Sequence, residues 1–373
     1  KIADSTTVMD FDPEEKKRKT SVSTSVYALE FGGHKLNIID APGLFDFAGG
    51  VSEALAAADS AVIAVSGKSG LTTGAKQSFQ KARALKKAVA FFVGKLDSTH
   101  AHFYRVISSL VANYGAVICP VVIPYIENDE VKSYIDLITN KAYACDGLEL
   151  KELRMPLSNE ADEMRSMLLE AIATADDALM EKYFAGEEFT PEEIIEGLKK
   201  GVTAGEICPV FAGVQQTGAA VPLMVDTLLK ILPSAADAVC RFDGGEEKAF
   251  DENGENALFV FKTIADPFVG KLSYFRVLSG KIKNDSRLIN NRTGAEERLS
   301  KIMWLKGGKQ EDAGEIIAGD IGSVSKLGNV LTGDTLSASG KLAAAAVEFP
   351  APTISVAVYP KTKGDEEKIT QAF

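Results

Sequence analysis

The sequence predicts an α/β domain built on a mostly parallel sheet, with an inserted α+β subdomain, followed by an antiparallel β-barrel. Apolar runs at 61–65 and 88–93 alternate with helical segments, which is typical of a parallel sheet covered on both faces. Residues 115–207 interrupt this alternation and become strongly helical. From residue 257, short β-rich runs separated by Gly, Asp and Asn follow without helices between them, which indicates a barrel or a sandwich.

The first domain is expected over residues 1–243, with the inserted subdomain at about 115–207. Residues 1–19 are polar and charged, and on composition alone a solvated loop or a disordered start is about as good an interpretation as ordered structure. The runs 25–31 and 35–40 flank a Gly-Gly pair and predict a β-hairpin. The following elements are then predicted: strands at 61–65, 88–93 and 210–211, and helices at 73–85, 102–112, 161–184 and 222–232. A further helix begins at the capping-box sequence T-P-E-E at 190–193.

The β-barrel is expected over residues 244–345, after a polar linker at 244–256. Its predicted strands are 258–263, 273–278, 287–289, 316–317 and 322–324. Residues 346–373 are expected to start a truncated third domain, with a strand at 354–359. Because the chain starts at Lys1 without Met and stops at Phe373 inside a charged stretch, we expect a piece of a longer protein.

Composition excludes several classes of protein. The 373 residues are 46% hydrophobic and 25% charged, which suits a soluble protein of two or three domains. No apolar run reaches the roughly 18 residues of a membrane helix. The four Cys residues form no CxxC pair and three His residues are too few for a His-rich metal centre, so we expect reduced thiols and a cytoplasmic location. The net charge of −11 argues against free nucleic acid as the main partner.

Two loops that follow buried strands are the first candidates for chemistry, because ligands bind at the carboxyl ends of parallel strands. Asp40 ends one strand and could hold Mg²⁺, while Gly43 would let a backbone N–H approach a phosphate. After the next candidate strand, the Asp97 carboxylate could accept the N1–H and N2–H₂ donors of guanine, and the Lys95 stem could pack over the base. Taken alone, each loop is more typical of an ordinary turn than of a binding site, with about a quarter of the weight on function for the Asp40–Gly43 motif.

A third loop, at Gly213 and Val214, follows the short strand at 210–211. In this order the three loops resemble those of the translational GTPases, and among them elongation factor G, over nearly the whole chain. The similar segments are 9–22 (switch I), 40–47 (switch II), 93–97 with 103–106 (the guanine loop), 177–210 (the inserted subdomain), 265–272 with 276–280, 318–320 and 331–336 (the barrel), and 350–363 (the start of the third domain).

The resemblance implies a P-loop-NTPase-like fold that binds GTP or GDP with Mg²⁺. The implied nucleotide-binding residues are Asp40, Gly43, Lys95, Asp97, Gly213 and Val214, and the implied metal-binding residues are Ser21 and Asp40. It also implies a monomer that docks on the ribosome and its RNA through the barrel. Lys271, Arg276, Lys281 and Lys283 could contact phosphates there, although solvated strand and turn charges are at least as good an interpretation.

The sequence lacks one motif of the family and departs from it at four further positions. No Gly-x-x-x-x-Gly-Lys-Ser/Thr motif occurs, so this chain alone should bind GTP poorly. Leu44 stands where the family has a water-positioning His, so no catalytic residue is assigned, and hydrolysis could fall by on the order of 10²–10⁴. Gly94 replaces the Asn of the guanine loop. Ser21 replaces a Thr and Val214 replaces a Ser, and the Val214 N–H could still face guanine O6.

Two functions remain open from the sequence. The first is an elongation factor G-like factor that acts on the ribosome with GTP, in translocation or a related step, with GTP hydrolysis in the intact protein. The alternative is a ribosome-binding paralogue that binds GTP with little or no hydrolysis. A tetracycline-resistance-like ribosome protector and a release-factor-recycling GTPase are nearer relatives of the first.

Overall fold

The computed structural model describes residues 4–266, 270–352, 354–362, 364 and 369. Its α-helices are α1 (Pro13–Arg18), α2 (Ala48–Ala57), α3 (Thr73–Ala84), α4 (Phe103–Tyr114), α5 (Asn159–Ala175), α6 (Asp177–Ala185), α7 (Pro191–Ala204) and α8 (Val221–Ile231). Its strands are β1 (Ser25–Phe31), β2 (His34–Asp40), β3 (Ser60–Ser66), β4 (Ala88–Gly94), β5 (Ile118–Glu127), β6 (Glu130–Asp136), β7 (Lys141–Asp146), β8 (Glu149–Leu153), β9 (Cys208–Ala212), β10 (Val239–Arg241), β11 (Glu247–Ala249), β12 (Ala257–Asp266), β13 (Gly270–Ser279), β14 (Lys281–Lys283), β15 (Ser286–Asn290), β16 (Glu296–Leu299), β17 (Ile302–Lys306), β18 (Lys309–Asp312), β19 (Glu315–Ile317), β20 (Ile321–Ser325) and β21 (Thr335–Ser337). Short 3₁₀ helices lie at Phe45–Phe47, Gly115–Val117 and Asp243–Gly245.

The first domain is built on a seven-stranded sheet of order β3-β4-β9-β5-β6-β7-β8. The strands β3, β4, β9 and β5 are parallel, and the strands from β5 to β8 are antiparallel. Every residue of β4 is buried, as expected for a central strand covered on both faces. Helices α3 and α7 pack against β4, and α4 and α5 pack against β5. The predicted α/β fold class is confirmed.

The inserted segment contains strands that the sequence interpretation missed, β5 to β8. Their turns carry the signal: Asn128 and Asp129 both have positive φ, the conformation that a two-residue hairpin turn prefers. The single helix predicted over 161–184 is wrong. Asp176 breaks it into α5 and α6, because its extended backbone lets its side chain accept the N–H groups of Ala178 and Leu179 as an N-cap.

The charged run near the start of the chain is an ordered helix, α1, and the loop alternative is therefore wrong there. Asp12 caps it in a capping box with Glu15, and Pro13 is its first residue. The pattern D-P-E-E at 12–15 repeats the chemistry of T-P-E-E at 190–193, which also forms a capping box. The same rule would therefore have found both helices.

The β1–β2 hairpin forms as predicted, but it joins a different sheet. All seven residues of β1 pair with β2, and β1 also pairs with β17 of the second domain through Tyr27 and Lys306. Within the described residues, β2 pairs with β1 alone and is the edge of that sheet. Lys35 and Asn37 of β2 both donate to Asp320, at 2.5 and 2.8 Å. The expectation that the loop after β2 follows a strand of the parallel sheet is wrong, because the hairpin finds its backbone partner in the second domain.

The second domain is an antiparallel sheet of order β16-β15-β21-β12-β13-β20-β17, with β18 paired to β17. Alternate residues of its strands point to two cores. In β12, Leu258 and Val260 enter a core within this domain, whereas Phe259 and Phe261 enter a core shared with the first domain. All five predicted strands of the domain are present, and β11, β14, β16, β17, β18 and β21 were missed.

The two domains are also joined by a buried cation. Arg276 of β13 is only 4% exposed and donates to the carbonyls of Ala57 (3.0 Å) and Gly319 (3.1 Å) and to Asp59 (2.7 Å). Its guanidinium lies 4.2 Å from the centre of the Phe250 ring. The interpretation of Arg276 as an RNA phosphate contact is wrong, because its donors are engaged inside the protein.

The strand predicted at 354–359 is absent, and no described segment pairs with those residues to accept the hydrogen bonds of a strand. Tyr359 and most of the apolar side chains beside it are strongly exposed. In the part of the chain that is described, no helix combines the length and the apolar character needed to cross a membrane.

Candidate guanine-nucleotide site

The carboxyl ends of β3, β4 and β9 meet at one edge of the parallel sheet. The Gly67 N–H donates to the Gly94 carbonyl at 2.8 Å, and the Gly213 N–H donates to the Val93 carbonyl at 3.1 Å. A Cβ at Gly213 would lie 2.9 Å from the Ala219 carbonyl oxygen, so glycine alone fits this close approach. The structure thus brings together two of the three predicted loops, those at 94–97 and 213–214.

The loop after β4 presents its two polar side chains to solvent. Lys95 adopts a left-handed conformation (φ 57°), which is uncommon for residues other than glycine. Lys95 and Asp97 are exposed, while Leu96 between them is buried against Gly67. An exposed carboxylate beside an exposed lysine stem is the arrangement that the guanine-recognition hypothesis requires.

The loop after β9 differs from expectation in one respect. Val214 is buried, and its N–H donates to the Ala219 carbonyl at 3.0 Å. This donor, which we expected to face a bound base, is therefore already engaged. The next residue, Gln215, reaches the guanine loop instead, since its Oε1 accepts the Lys95 N–H at 3.0 Å. No sequence motif pointed to Gln215.

A second cluster forms around Ser21 and Asp40. The Ser21 hydroxyl donates to Asp10 Oδ1 at 2.7 Å and lies 3.4 Å from Asp40 Oδ2. Burial, and then the negative charge of Asp10, raise the pKa of Asp40 above its usual range, while the Ser21 hydrogen bond opposes that shift. Asp10 was not among the predicted site residues, although it lies within the segment that resembles switch I.

Glu15 fixes the backbone that carries Ser21. Its side chain is buried, and its Oε1 accepts the N–H groups of Val22 (3.0 Å) and Ser23 (3.1 Å). Its other oxygen accepts the Asp12 N–H at 3.2 Å within the capping box of α1. A buried carboxylate with three backbone donors holds this loop in one conformation.

The loop after Asp40 is open to solvent. A Cβ added at Gly43 would meet no atom within 4 Å, and Leu44 is 46% exposed. This loop lies close to helix α3, which packs on the parallel sheet. The Gly43 carbonyl oxygen is so near Gly74 that a Cβ added there would lie 3.3 Å from it. The Asp40 cluster and the Lys95–Asp97 loop therefore follow strands of different sheets.

Comparison with known families agrees with this geometry. The family model for the elongation factor Tu GTP binding domain matches residues 1–234. This chain belongs to the translational GTPases. The model for elongation factor G domain 2 matches residues 255–339, so this translational GTPase resembles elongation factor G.

A solved structure gives the same result for the fold. A crystal structure of a protein from Thermus thermophilus matches 100% of this chain, with a TM-score of 0.86 and 30% sequence identity. The match covers 55% of that protein, so this GTPase chain spans about half of its length.

Translational GTPases bind guanine nucleotide with Mg²⁺, and the Asp40 cluster has donors of the required kind. Among the described residues there is no group of three or more His, Cys, Asp or Glu side chains suited to hold a metal by themselves. Hydroxyl and carboxylate oxygens are nevertheless the ligands that Mg²⁺ prefers, together with phosphate and water. The close carboxylates of Asp10 and Asp40, linked by the Ser21 hydroxyl, fit a bound cation.

The raised pKa of Asp40 predicts a pH-dependent stability. The folded protein keeps the Asp40 proton at a pH where the unfolded chain has lost it, so the contribution of Asp40 to the free energy of unfolding falls as pH rises above about 4. We expect Asp40→Asn to remove this fall and to make the metal-free protein more stable at pH 7. Urea unfolding at pH 4.5 and 7.5 tests this, with the exposed Asp46→Asn as the matched control. Identical pH profiles for the wild type and Asp40→Asn would contradict it.

Proposed function

We propose that this protein is an elongation factor G-like translation factor that acts on the ribosome with GTP, in translocation or a related step. The observation that supports it best is the exposed Lys95–Asp97 pair at the joined ends of β4 and β9, in a chain that also carries an elongation factor G domain 2. We assign the GTP-binding domain to residues 1–243, its inserted subdomain to about 115–207, the barrel to 244–345 and a third domain from 346. A monomeric, cytoplasmic protein is part of the proposal.

In this proposal each loop has a separate task. Asp97 accepts the N1–H and N2–H₂ donors of guanine, and the aliphatic stem of Lys95 packs on the base. Gly213 allows the close approach of the third loop to the base pocket, and Val214 fills the space behind it. Gly43 leaves room for the backbone beside the terminal phosphate.

The metal-binding task falls to Ser21 and Asp40, with Asp10 beside them. Mg²⁺, when bound with the nucleotide, supplies positive charge that offsets the phosphate oxygens. The hydroxyl of Ser21 and the carboxylate of Asp40 would supply oxygen ligands for this ion, directly or through water. Glu15 keeps Ser21 in place for this task through its hydrogen bonds to Val22 and Ser23.

The barrel is proposed to dock on ribosomal RNA. Lys281 and Lys283 lie at its surface and pair with Glu252 (3.2 Å) and Glu315 (3.0 Å). Surface pairs of this kind contribute little to stability, so both cations could exchange their partners for phosphate oxygens. Lys271 is the third cation of this set, and Arg276 is no longer part of it.

Leu44 favours a second candidate, a ribosome-binding protein that binds GTP with little or no hydrolysis. Leucine cannot orient a water molecule or carry charge, and no other titratable group has been assigned to that role. The two candidates share nucleotide binding and ribosome binding, and they differ only in turnover.

The test is GTP binding and ribosome-stimulated hydrolysis by the full-length protein. We expect the protein to bind GTP and GDP with Kd values in the micromolar range or below. It should bind ATP much more weakly. Hydrolysis that increases when ribosomes are added supports the first candidate, and binding without turnover supports the second. If the full-length protein ignored GTP in the presence of ribosomes, both candidates would be abandoned. An Asp97→Asn variant, which keeps the size of the side chain and removes the carboxylate, serves as the matched control for guanine binding.

A further inference from the structure

The side chain of Gln215 occupies the space beside Gly94. A Cβ added at Gly94 would lie 2.7 Å from Gln215 Oε1 and 3.0 Å from Phe92 Cε1. The same oxygen accepts the Lys95 N–H at 3.0 Å, across 120 residues of sequence. Gly94, which replaces the Asn of the family, therefore leaves the space that the Gln215 side chain fills.

The chemistry of this hydrogen bond fixes the orientation of the Gln215 amide. A backbone N–H can only donate, so the oxygen of the amide must face Lys95 and its NH₂ group must point away. Gln215 is exposed, and no described residue accepts a hydrogen bond from its Nε2. The structure thus leaves one oriented donor at the edge of the site, next to the loop that carries Asp97.

We propose that Gln215 selects guanine in this protein: it joins the loops after β4 and β9 and donates from Nε2 to O6 of the base. This rests on the proposed guanine-nucleotide site. Guanine presents the acceptors O6 and N7 along this edge, whereas adenine presents a donor at the position of O6. An amide NH₂ at this place favours guanine and disfavours adenine, while Asp97 reads the opposite edge. Gln215 supplies the amide that Gly94 lacks.

The decisive variant is Gln215→Glu in the full-length protein. Its carboxylate can still accept the Lys95 N–H, but it has no donor for O6. We expect the ratio of ADP Kd to GDP Kd, measured by isothermal titration, to fall about tenfold, the effect of one good contact to a base edge. The neighbouring exposed residue provides the matched control, and Gln216→Ala should leave the ratio within about twofold of wild type. An unchanged ratio in Gln215→Glu overturns the proposal.

A double-mutant cycle tests the match between the two loops. Gly94→Ala should displace the amide, so Gly94→Ala and Gln215→Ala should each lower the GDP affinity about tenfold. Because both remove the same interaction, the double variant should lose no more than either single variant. Losses that multiply to about a hundredfold would show that Gly94 and Gln215 act independently, which overturns the proposal.

A third measurement keeps this proposal separate from the proposed function. Hydrogen exchange of the Lys95 amide, followed by NMR on this chain without nucleotide, should become several-fold faster in Gln215→Ala and remain at the wild-type rate in Gln216→Ala. If wild-type full-length protein fails to bind GDP while this difference is present, the proposed function fails and the bridge between the loops remains. Equal exchange rates in the two variants overturn the bridge itself.

Discussion

Replacing Leu44 with His in the full-length protein is expected to raise ribosome-stimulated GTP hydrolysis by on the order of 10²–10⁴. A histidine at this position can orient the attacking water and carry charge, whereas leucine can do neither. The site has room for it, because Leu44 is about half exposed and a Cβ added at the adjacent Gly43 would meet no atom within 4 Å. Single-turnover hydrolysis with saturating ribosomes measures the effect.

The matched control for Leu44→His is Phe45→His, which places the same imidazole one residue away at another exposed position. We expect no increase in hydrolysis from this variant, because Phe45 lies one residue further from the Asp40–Gly43 loop, at the start of a 3₁₀ helix. An equal gain in both variants would mean that any added imidazole accelerates the reaction. Tight GTP binding by Leu44→His without turnover would favour the non-hydrolysing candidate.

Replacing Arg276 with Leu is expected to lower the free energy of unfolding by about 3–5 kcal/mol. The substitution leaves the Asp59 carboxylate and the carbonyls of Ala57 and Gly319 without their shared donor in a buried interface. It also removes the cation from the face of Phe250. Urea unfolding, followed by tryptophan fluorescence and circular dichroism, measures the loss.

Arg287→Leu is the control for this prediction, because Arg287 also lies in a strand of the second domain and pairs with Glu296 at 2.6 Å. Both side chains of that pair are more than half exposed, so we expect a loss of less than about 1 kcal/mol. Similar losses for the two variants would contradict the view that Arg276 holds the domains together.

The sequence predicts three of the four parallel strands, β3, β4 and β9, because their signal is local. Residues 88–93 form a continuous apolar run, and a strand buried on both faces needs little else. In the inserted segment, β6, β7 and β8 are mixed polar and apolar, and they were missed although the turn at Asn128 and Asp129 marks the β5–β6 hairpin. The strand β5 was missed as well, although it is almost wholly apolar and buried. The break at Asp176 shows the converse problem, where helical periodicity continues across a residue whose side chain prefers to cap a new helix.

The position of a candidate site residue in the fold can be predicted where it depends on its own strand, and it cannot be predicted where it depends on a distant partner. Lys95 and Asp97 could be placed at the end of β4 by counting from the apolar run. Gln215 could not, because its role is defined by a hydrogen bond to a residue 120 positions away. The hairpin is similar: the Gly-Gly pair predicts the turn, but nothing near β1 indicates that its outer edge pairs with Lys306.

The placement of the β1–β2 hairpin has a consequence for synthesis of the chain. Its bonds from Lys35 and Asn37 to Asp320 span 285 and 283 residues. At about 5–20 residues per second, the ribosome needs roughly 15–60 s to synthesise the chain from the hairpin to Asp320. During that interval the edges of β1 and β2, including the apolar side chain of Ile38, have no second-domain neighbour. The hairpin therefore docks late, and a nascent chain is open to wrong strand pairing until residue 320 has emerged.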